Sequence, residues 1–217
     1  TTRILAPMMS EIIRLMQEGE DPKKIDKLCK AAGFPVGGVT LVDEVGLDIA
    51  LHIVEFLGKE LGVRAQGADA RLLKDIVAAG FHGRKTGKGI FVYEKGVKER
   101  PVNKGAEEIL KRYKVEPRGF QTDEDIKMRF LSRFINESIY CLQDGILASP
   151  LEGDIGAVFG LGFPPFSGGP FRYVDTYGAD KLVAKMKLFA GAYGAEFEPC
   201  QMLQDYAKSG KKFYTKK

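Results

Sequence analysis

Leu5, Met9, Ile12 and Met16 recur at steps of three and four residues, the spacing that lines one face of an α-helix. Leu131, Ile135 and Leu142 repeat the pattern later, so two distant stretches each predict a helix with one stripe against a core. Gly19 and Gly145 end these helices where a left-handed residue costs least. Asp21-Pro22 and Ser149-Pro150 then place a capping side chain before a proline, which predicts a second helix in each stretch. Thr40 to Leu61 reads as a helical stretch bent near Gly46, with Leu47, Ala50, Leu51, Val54 and Leu57 as its apolar set. A shorter helix follows over Ala70–Ala79. Ile90-Phe91-Val92-Tyr93 is the one convincing β run, with a faint counterpart at Phe213-Tyr214. Residues Glu94–Gly105, rich in charge and containing Pro101, predict a loop, and Glu107–Tyr113 a short helix.

These parallels are ordered. Arg3, Glu11, Ile13, Gln17 and Gly19 match Arg129, Glu137, Ile139, Gln143 and Gly145 at a constant shift. Gly33-Phe34-Pro35 matches Gly162-Phe163-Pro164, Gly37-Gly38 matches Gly168-Gly169, and Asp43, Gly46 and Asp48 match Asp175, Gly178 and Asp180. The shift grows slowly along the chain, as short loop insertions would make it. An internal duplication follows: a first half at 1–98, a linker at 99–121 and a second, degenerate half at 122–217. The predicted class is mostly α, two tandem homologous helical bundles with minor β.

Composition narrows the possible partners. The 33 Lys and Arg against 29 Asp and Glu give +4, too weak and too dispersed to argue for nucleic acid. No apolar run approaches the roughly 18–20 residues of a membrane span. Cys29, Cys141 and Cys200 lie far apart without a C-x-x-C, which excludes a zinc ribbon and disfavours a disulfide framework. The chain opens on a helical pattern without Met, which predicts a piece of a longer protein.

No complete catalytic set emerges. Gly160-x-Gly162 and Gly87-x-Gly89 lack the third glycine and the βαβ setting of a dinucleotide fingerprint. Gly83-Arg84-Lys85-Thr86-Gly87-Lys88-Gly89 has too few residues between its glycines for a P-loop. Arg84, Lys85 and Lys88 are candidates for phosphate contact, against the blander reading of a solvated basic turn. His52, one helical turn after Asp48, can share a hydrogen bond with it and reads as a structural or surface residue rather than a catalytic base, and His82 reads as a solvated loop residue. No His/Cys cluster suggests a metal. Asp43 and Asp175 read as capping or ion-pairing groups rather than acid–base catalysts. The two Gly-Phe-Pro turns bring backbone close to a neighbouring helix or a ligand.

Taken together, several motifs resemble the C-terminal domain of the 3-hydroxyacyl-CoA dehydrogenases. They are Thr2-Arg3-x-x-x-Pro7, the Asp26…Gly33-Phe34-Pro35-x-Gly37 turn, Leu41-x-Asp43-x-x-Gly46-x-Asp48 and Gly83-Arg84-Lys85-Thr86-Gly87-Lys88-Gly89-x-Phe91-x-Tyr93. The second copy, with Gly160-Leu161-Gly162-Phe163-Pro164-Pro165 and Gly168-Gly169-Pro170-Phe171-Arg172, is similar to the multifunctional fatty-acid β-oxidation proteins, most of all to the mitochondrial trifunctional α-subunits. The resemblance implies bundles of the 6-phosphogluconate dehydrogenase C-terminal-domain type. It implies a parent that oxidises L-3-hydroxyacyl-CoA with NAD, the NAD held on a Rossmann domain outside this chain and the catalytic His and Glu there too. An enoyl-CoA hydratase domain, a thiolase β-subunit, the inner-membrane surface and a mitochondrial location are implied as the parent's surroundings. A homodimer of the chain itself is a further expectation.

Within this chain the resemblance makes Thr2, Pro35, Val36 and Gly37 the substrate-lining candidates. Thr2 stands where the family often has Asn. The chain alone is expected to be inactive. The competing reading is a structural helical scaffold or dimerisation module with no ligand contact.

Overall fold

The computed structural model describes residues 2–97 and 99–214. The first half runs through α1 (Thr2–Gln17), α2 (Pro22–Ala31), α3 (Gly38–Val45), α4 (Leu47–Leu61) and α5 (Ala70–Ala78). After α6 (Lys104–Arg112) the second half repeats that order in α7 (Asp123–Gln143), α8 (Pro150–Leu161), α9 (Pro170–Tyr177), α10 (Ala179–Ala192) and α11 (Gln201–Ser209). The expected mostly helical pair of bundles is what forms. Asp21 and Ser149 cap α2 and α8 through their side chains, each with proline in the first turn.

Three local expectations need correction. The stretch Thr40–Leu61 is broken rather than bent, because Gly46 adopts φ 104°, a conformation that no helix interior holds. The run Ile90–Tyr93 forms no strand. Its backbone donors go to the Asp43 carboxylate and to single bridges, Phe91 with Val102 and Val92 with Lys88. The helix placed at Glu107–Tyr113 begins three residues earlier, where the Asn103 side chain caps it.

Reciprocal contacts join the halves. α1 lies along α7, the most extensive helix pairing in the molecule. Arg3 donates to Glu137 and Arg129 to Glu11, so the same two positions pair crosswise and the helices run antiparallel. Arg3 also meets Asp144, and Arg129 meets Glu18, again equivalent positions. Such crosswise pairing is the signature of an isologous interface, here inside one chain. Phe34 of the first Gly-Phe-Pro turn packs edge-on against Phe163 of the second, their ring centres 5.9 Å apart. Pro35 abuts Gly162, and Phe166 abuts Gly33. The aromatic core between the halves is therefore built from the two turns together with Phe130 and Phe134 of α7.

Matching hydrogen bonds hold each half. Ser10 accepts from the Ala68 N–H and Asn136 from the Cys200 N–H. Gln17 accepts from the Asp69 N–H and Gln143 from the Met202 N–H. These polar groups tie the first long helix of each half to the chain entering its last helix. α6 packs on α1 and α5, and the Tyr113 hydroxyl donates to Asp75, so this stretch of the expected linker is docked.

Candidate functional site

Thr2 opens α1 at the rim of a small cavity of about 100 Å³. Leu5 and Met9 of α1, Leu41 and Val45 of α3 and Ile53 of α4 line it, without a single polar wall group apart from Thr2. Helix periodicity places Leu5 and Met9 on the stripe that predicts core, yet both are only partly buried. α1 is apolar on two faces, one against α7 and one open toward this cavity. Val45, Ile49 and Phe56 extend the apolar surface, with Phe56 63% exposed.

Pro35 and Val36 sit elsewhere. They border a wider cavity of about 590 Å³ together with α2 and the segment at Arg100. α3 separates the two cavities: Leu41, Val42 and Val45 face the first, Thr40 and Glu44 the second. Thr2 and the Pro35–Gly37 turn thus flank one helix without sharing a pocket. Gly37 is buried and caps α3, and a Cβ there would collide with the Asp26 carboxyl. That carboxylate accepts from the Val39 N–H at 2.8 Å and from the Thr40 hydroxyl at 2.6 Å, which secures the start of α3.

The glycine-rich loop encloses a carboxylate. Asp43 is fully buried and accepts from the Ile90 and Phe91 N–H groups, both at 2.8 Å, and from the Tyr93 hydroxyl at 3.0 Å. Cβ atoms at Gly83 and Gly89 would strike the Asp43 backbone carbonyl and its carboxylate. Those glycines are therefore required by the approach of the loop to Asp43. Burial pushes the Asp43 carboxyl upward while its three donors pull it back. Asp175 repeats the arrangement, accepting from the Phe213 and Tyr214 N–H groups at 2.8 Å. Both aspartates hold returning chain segments.

The loop cations divide. Arg84 meets Glu44 at 3.3 Å and Lys85 meets Asp48 at 2.7 Å, ion pairs that tie the loop to α3 and α4. Lys88 is exposed and makes no ion pair among the described residues. Asp48 is thus Lys85's partner and not that of His52, which is exposed. His82 Nε2 lies 3.2 Å from the Val77 carbonyl oxygen. All three cysteines are buried, and burial pushes Cys29 and Cys200 up to about 12, far from a reactive thiolate. No group of three or more metal-ligating side chains gathers among the described residues.

A dinucleotide does not fit these residues. Gly160 and Gly162 lie at the C-terminal end of α8, and Gly87 lies in a turn with no helix N-terminus after it. Anion recognition by such glycines requires a helix that begins at the loop, and here none does.

Two helical bundles of like helix order, paired through α1 and α7, with an apolar wall on the first, define the class of the fold. The profile of the 3-hydroxyacyl-CoA dehydrogenase C-terminal domain matches residues 1–93 and 126–216. The chain belongs to that family. It is 47% identical over 214 residues to the fatty acid oxidation complex subunit alpha of Vibrio vulnificus (strain CMCP6), covering 98% of this chain and 29% of that protein. The corresponding Shewanella sp. (strain MR-4) protein is 42% identical over 215 residues, 98% of this chain and 30% of its own length. The chain thus spans under a third of these curated relatives, which are bacterial. The crystal structure of the dehydrogenase part of multifunctional enzyme 1 from C. elegans superposes with a TM-score of 0.72 at 27% identity, over 94% of this chain and 46% of that one. Escherichia coli 3-hydroxybutyryl-CoA dehydrogenase shares the fold, with a TM-score of 0.76 at 19% identity over 96% of this chain and 60% of its own.

Proposed function

We propose that this chain is the C-terminal, substrate-side portion of a multifunctional fatty-acid β-oxidation protein that oxidises L-3-hydroxyacyl-CoA with NAD. The observation that supports it best is the apolar cavity under Thr2, in a chain whose family accompanies a dehydrogenase. A hydrocarbon wall with one hydroxyl at its edge suits an acyl chain whose polar end is held nearby. In this reading Thr2 and the Pro35-Val36-Gly37 turn border the substrate from the two sides of α3. The first half, 1–98, carries that wall, the segment 99–121 connects, and 122–217 supports. NAD and the reactive His and Glu belong to a Rossmann domain of the parent. Hydride transfer is the cofactor's chemistry; the residues here shape the cleft and exclude water from it.

The parent's remaining context follows the same proposal: a hydratase domain, a thiolase β-subunit and a mitochondrial location at the inner-membrane surface. The test is kinetic. In the longer protein, Thr2→Val and Val36→Ala are expected to raise the hydroxyacyl-CoA KM with little change in the KM for NAD. An unchanged hydroxyacyl-CoA KM in both variants favours the scaffold reading, which the buried α1–α7 ion pairs also suit. The 217-residue chain by itself is expected to produce no NADH, and turnover by it would overturn the proposal.

A further inference from the structure

We infer that the exposed lysine face of α2 binds the phosphate-bearing nucleotide end of the acyl thioester, an inference that rests on the reading of the Thr2 wall given above. Lys23, Lys27 and Lys30 lie at i, i+4 and i+7, one stripe of the helix. With Arg100, Pro35 and Val36 they border the cavity of about 590 Å³, within the roughly 300–1,000 Å³ typical of small-molecule sites. Among the described residues Lys27 and Lys30 make no ion pair. Lys23 has one, with Glu99, whose side chain is 87% exposed and easily surrendered. Arg100 stacks over the Tyr93 ring at 4.9 Å and lies 3.9 Å from Glu44, which with Asp26 also borders the cavity; the two contacts hold its planar donor group beside the stripe.

The second half supplies an internal control. Asp26 and Asp154 do the same work, accepting from Val39 and Phe171 at the start of the next helix, so α2 and α8 are in register. In that register Lys23, Lys27 and Lys30 fall on Leu151, Ile155 and Val158. The fold accepts an apolar face at this position, so it does not require the lysines. They occur only in the half that carries the Thr2 wall. The two cavities border different faces of α3, Thr40 and Glu44 lining one and Leu41, Val42 and Val45 the other. The Pro35–Gly37 turn leads into that helix, and its Pro35 and Val36 border the lysine-lined cavity. An extended thioester with an apolar end and a multiply charged phosphate end matches this order of surfaces.

The two ends of such a thioester are testable separately by calorimetric titration. Adenosine 3′,5′-bisphosphate carries the phosphates, and an acyl-pantetheine carries the chain without them. Saturable bisphosphate binding is expected, weakened at least tenfold in Lys27→Glu/Lys30→Glu and further by added salt. Acyl-pantetheine is expected to bind both proteins alike. Both lysines are exposed, and the milder Lys27→Gln/Lys30→Gln pair, with helical content checked by circular dichroism, separates lost charge from lost fold. Bisphosphate binding equal in wild type and variants, or undetectable in wild type at millimolar concentration, overturns the phosphate site. Failure of the acyl-pantetheine arm alone overturns the wall reading instead.

Discussion

Arg129 and Arg3 occupy the same position in two copies of one helix, yet they meet water differently. Arg129 is wholly buried between Glu11 and Glu18, whereas Arg3 keeps a fifth of its side chain exposed beside Glu137 and Asp144. Asp43 and Asp175 differ in the same sense, the first fully buried and the second only partly. The lesson is that duplication preserved which atoms pair while burial decided how much each pair matters. Surface chemistry then diverged where pairing imposes nothing: lysines cover α2, and Leu151, Ile155 and Phe159 stand exposed on α8.

The largest expected contrast is at the arginines. Arg129→Ala leaves Glu11 and Glu18 buried without their partner and is expected to destabilise by about 3–5 kcal/mol. Arg3→Ala, partly solvated, is expected to cost less, about 1–3 kcal/mol in urea titrations of the two variants, because Arg64 remains 3.7 Å from the Glu137 left behind. Equal losses would break the argument from burial. Next, Asp43→Asn replaces an acceptor oxygen by a donor facing N–H groups and is expected to cost about 1–3 kcal/mol, against less for Asp175→Asn. Thermal melts of the two variants give the comparison. Gly169→Ala should exceed Gly37→Ala. Both Cβ atoms meet an aspartate, but Gly169 also holds φ 115°, which strains any L side chain.

A smaller effect is pH-dependent. Burial raises the Glu18 carboxyl, but the Arg129 hydrogen bonds outweigh it and hold the group below its ordinary 4.5. A depressed folded value means that Glu18 adds stability above its unfolded pKa. That contribution fades as pH falls through the folded value. Stability measured from pH 6 downward should therefore drop in wild type. In Arg129→Leu the part of that slope due to Glu18 should shrink, since only Gln121 and Arg14 then oppose burial. Smallest of all, Lys88→Ala is expected to change stability by under about 0.5 kcal/mol, whereas Lys85→Ala also loses the bridge to Asp48.

Much of the scaffold is legible in the sequence. The duplication shows as ordered matches along the chain, and the Asp21-Pro22 and Ser149-Pro150 starts and the helix from Ala70 come from local chemistry that acts within a turn or two. What escaped depends on distance. Ile90–Tyr93 has strand composition, but its donors are claimed by Asp43, 47 residues away. Leu5 and Met9 lie on a core stripe by periodicity, and only the packing of α3 and α4 reveals that their face stays open. The α2 lysines look like any solvated helical surface until the cavity beside them and their apolar counterparts on α8 are seen together. Thr2 and Pro35–Gly37 are proposed from the family resemblance, since no spacing in the chain links them and they share no pocket.

The interlocked Phe34 and Phe163 turns carry a consequence for the halves as separate polypeptides. A first half made alone would uncover Phe34 and leave Arg3 without Glu137 and Glu11 without Arg129, one donor and one acceptor from the two crosswise pairs. Two such molecules could satisfy each other about a true twofold axis, so the isolated piece should associate as a dimer at micromolar concentration. The intact chain has that docking already satisfied from within.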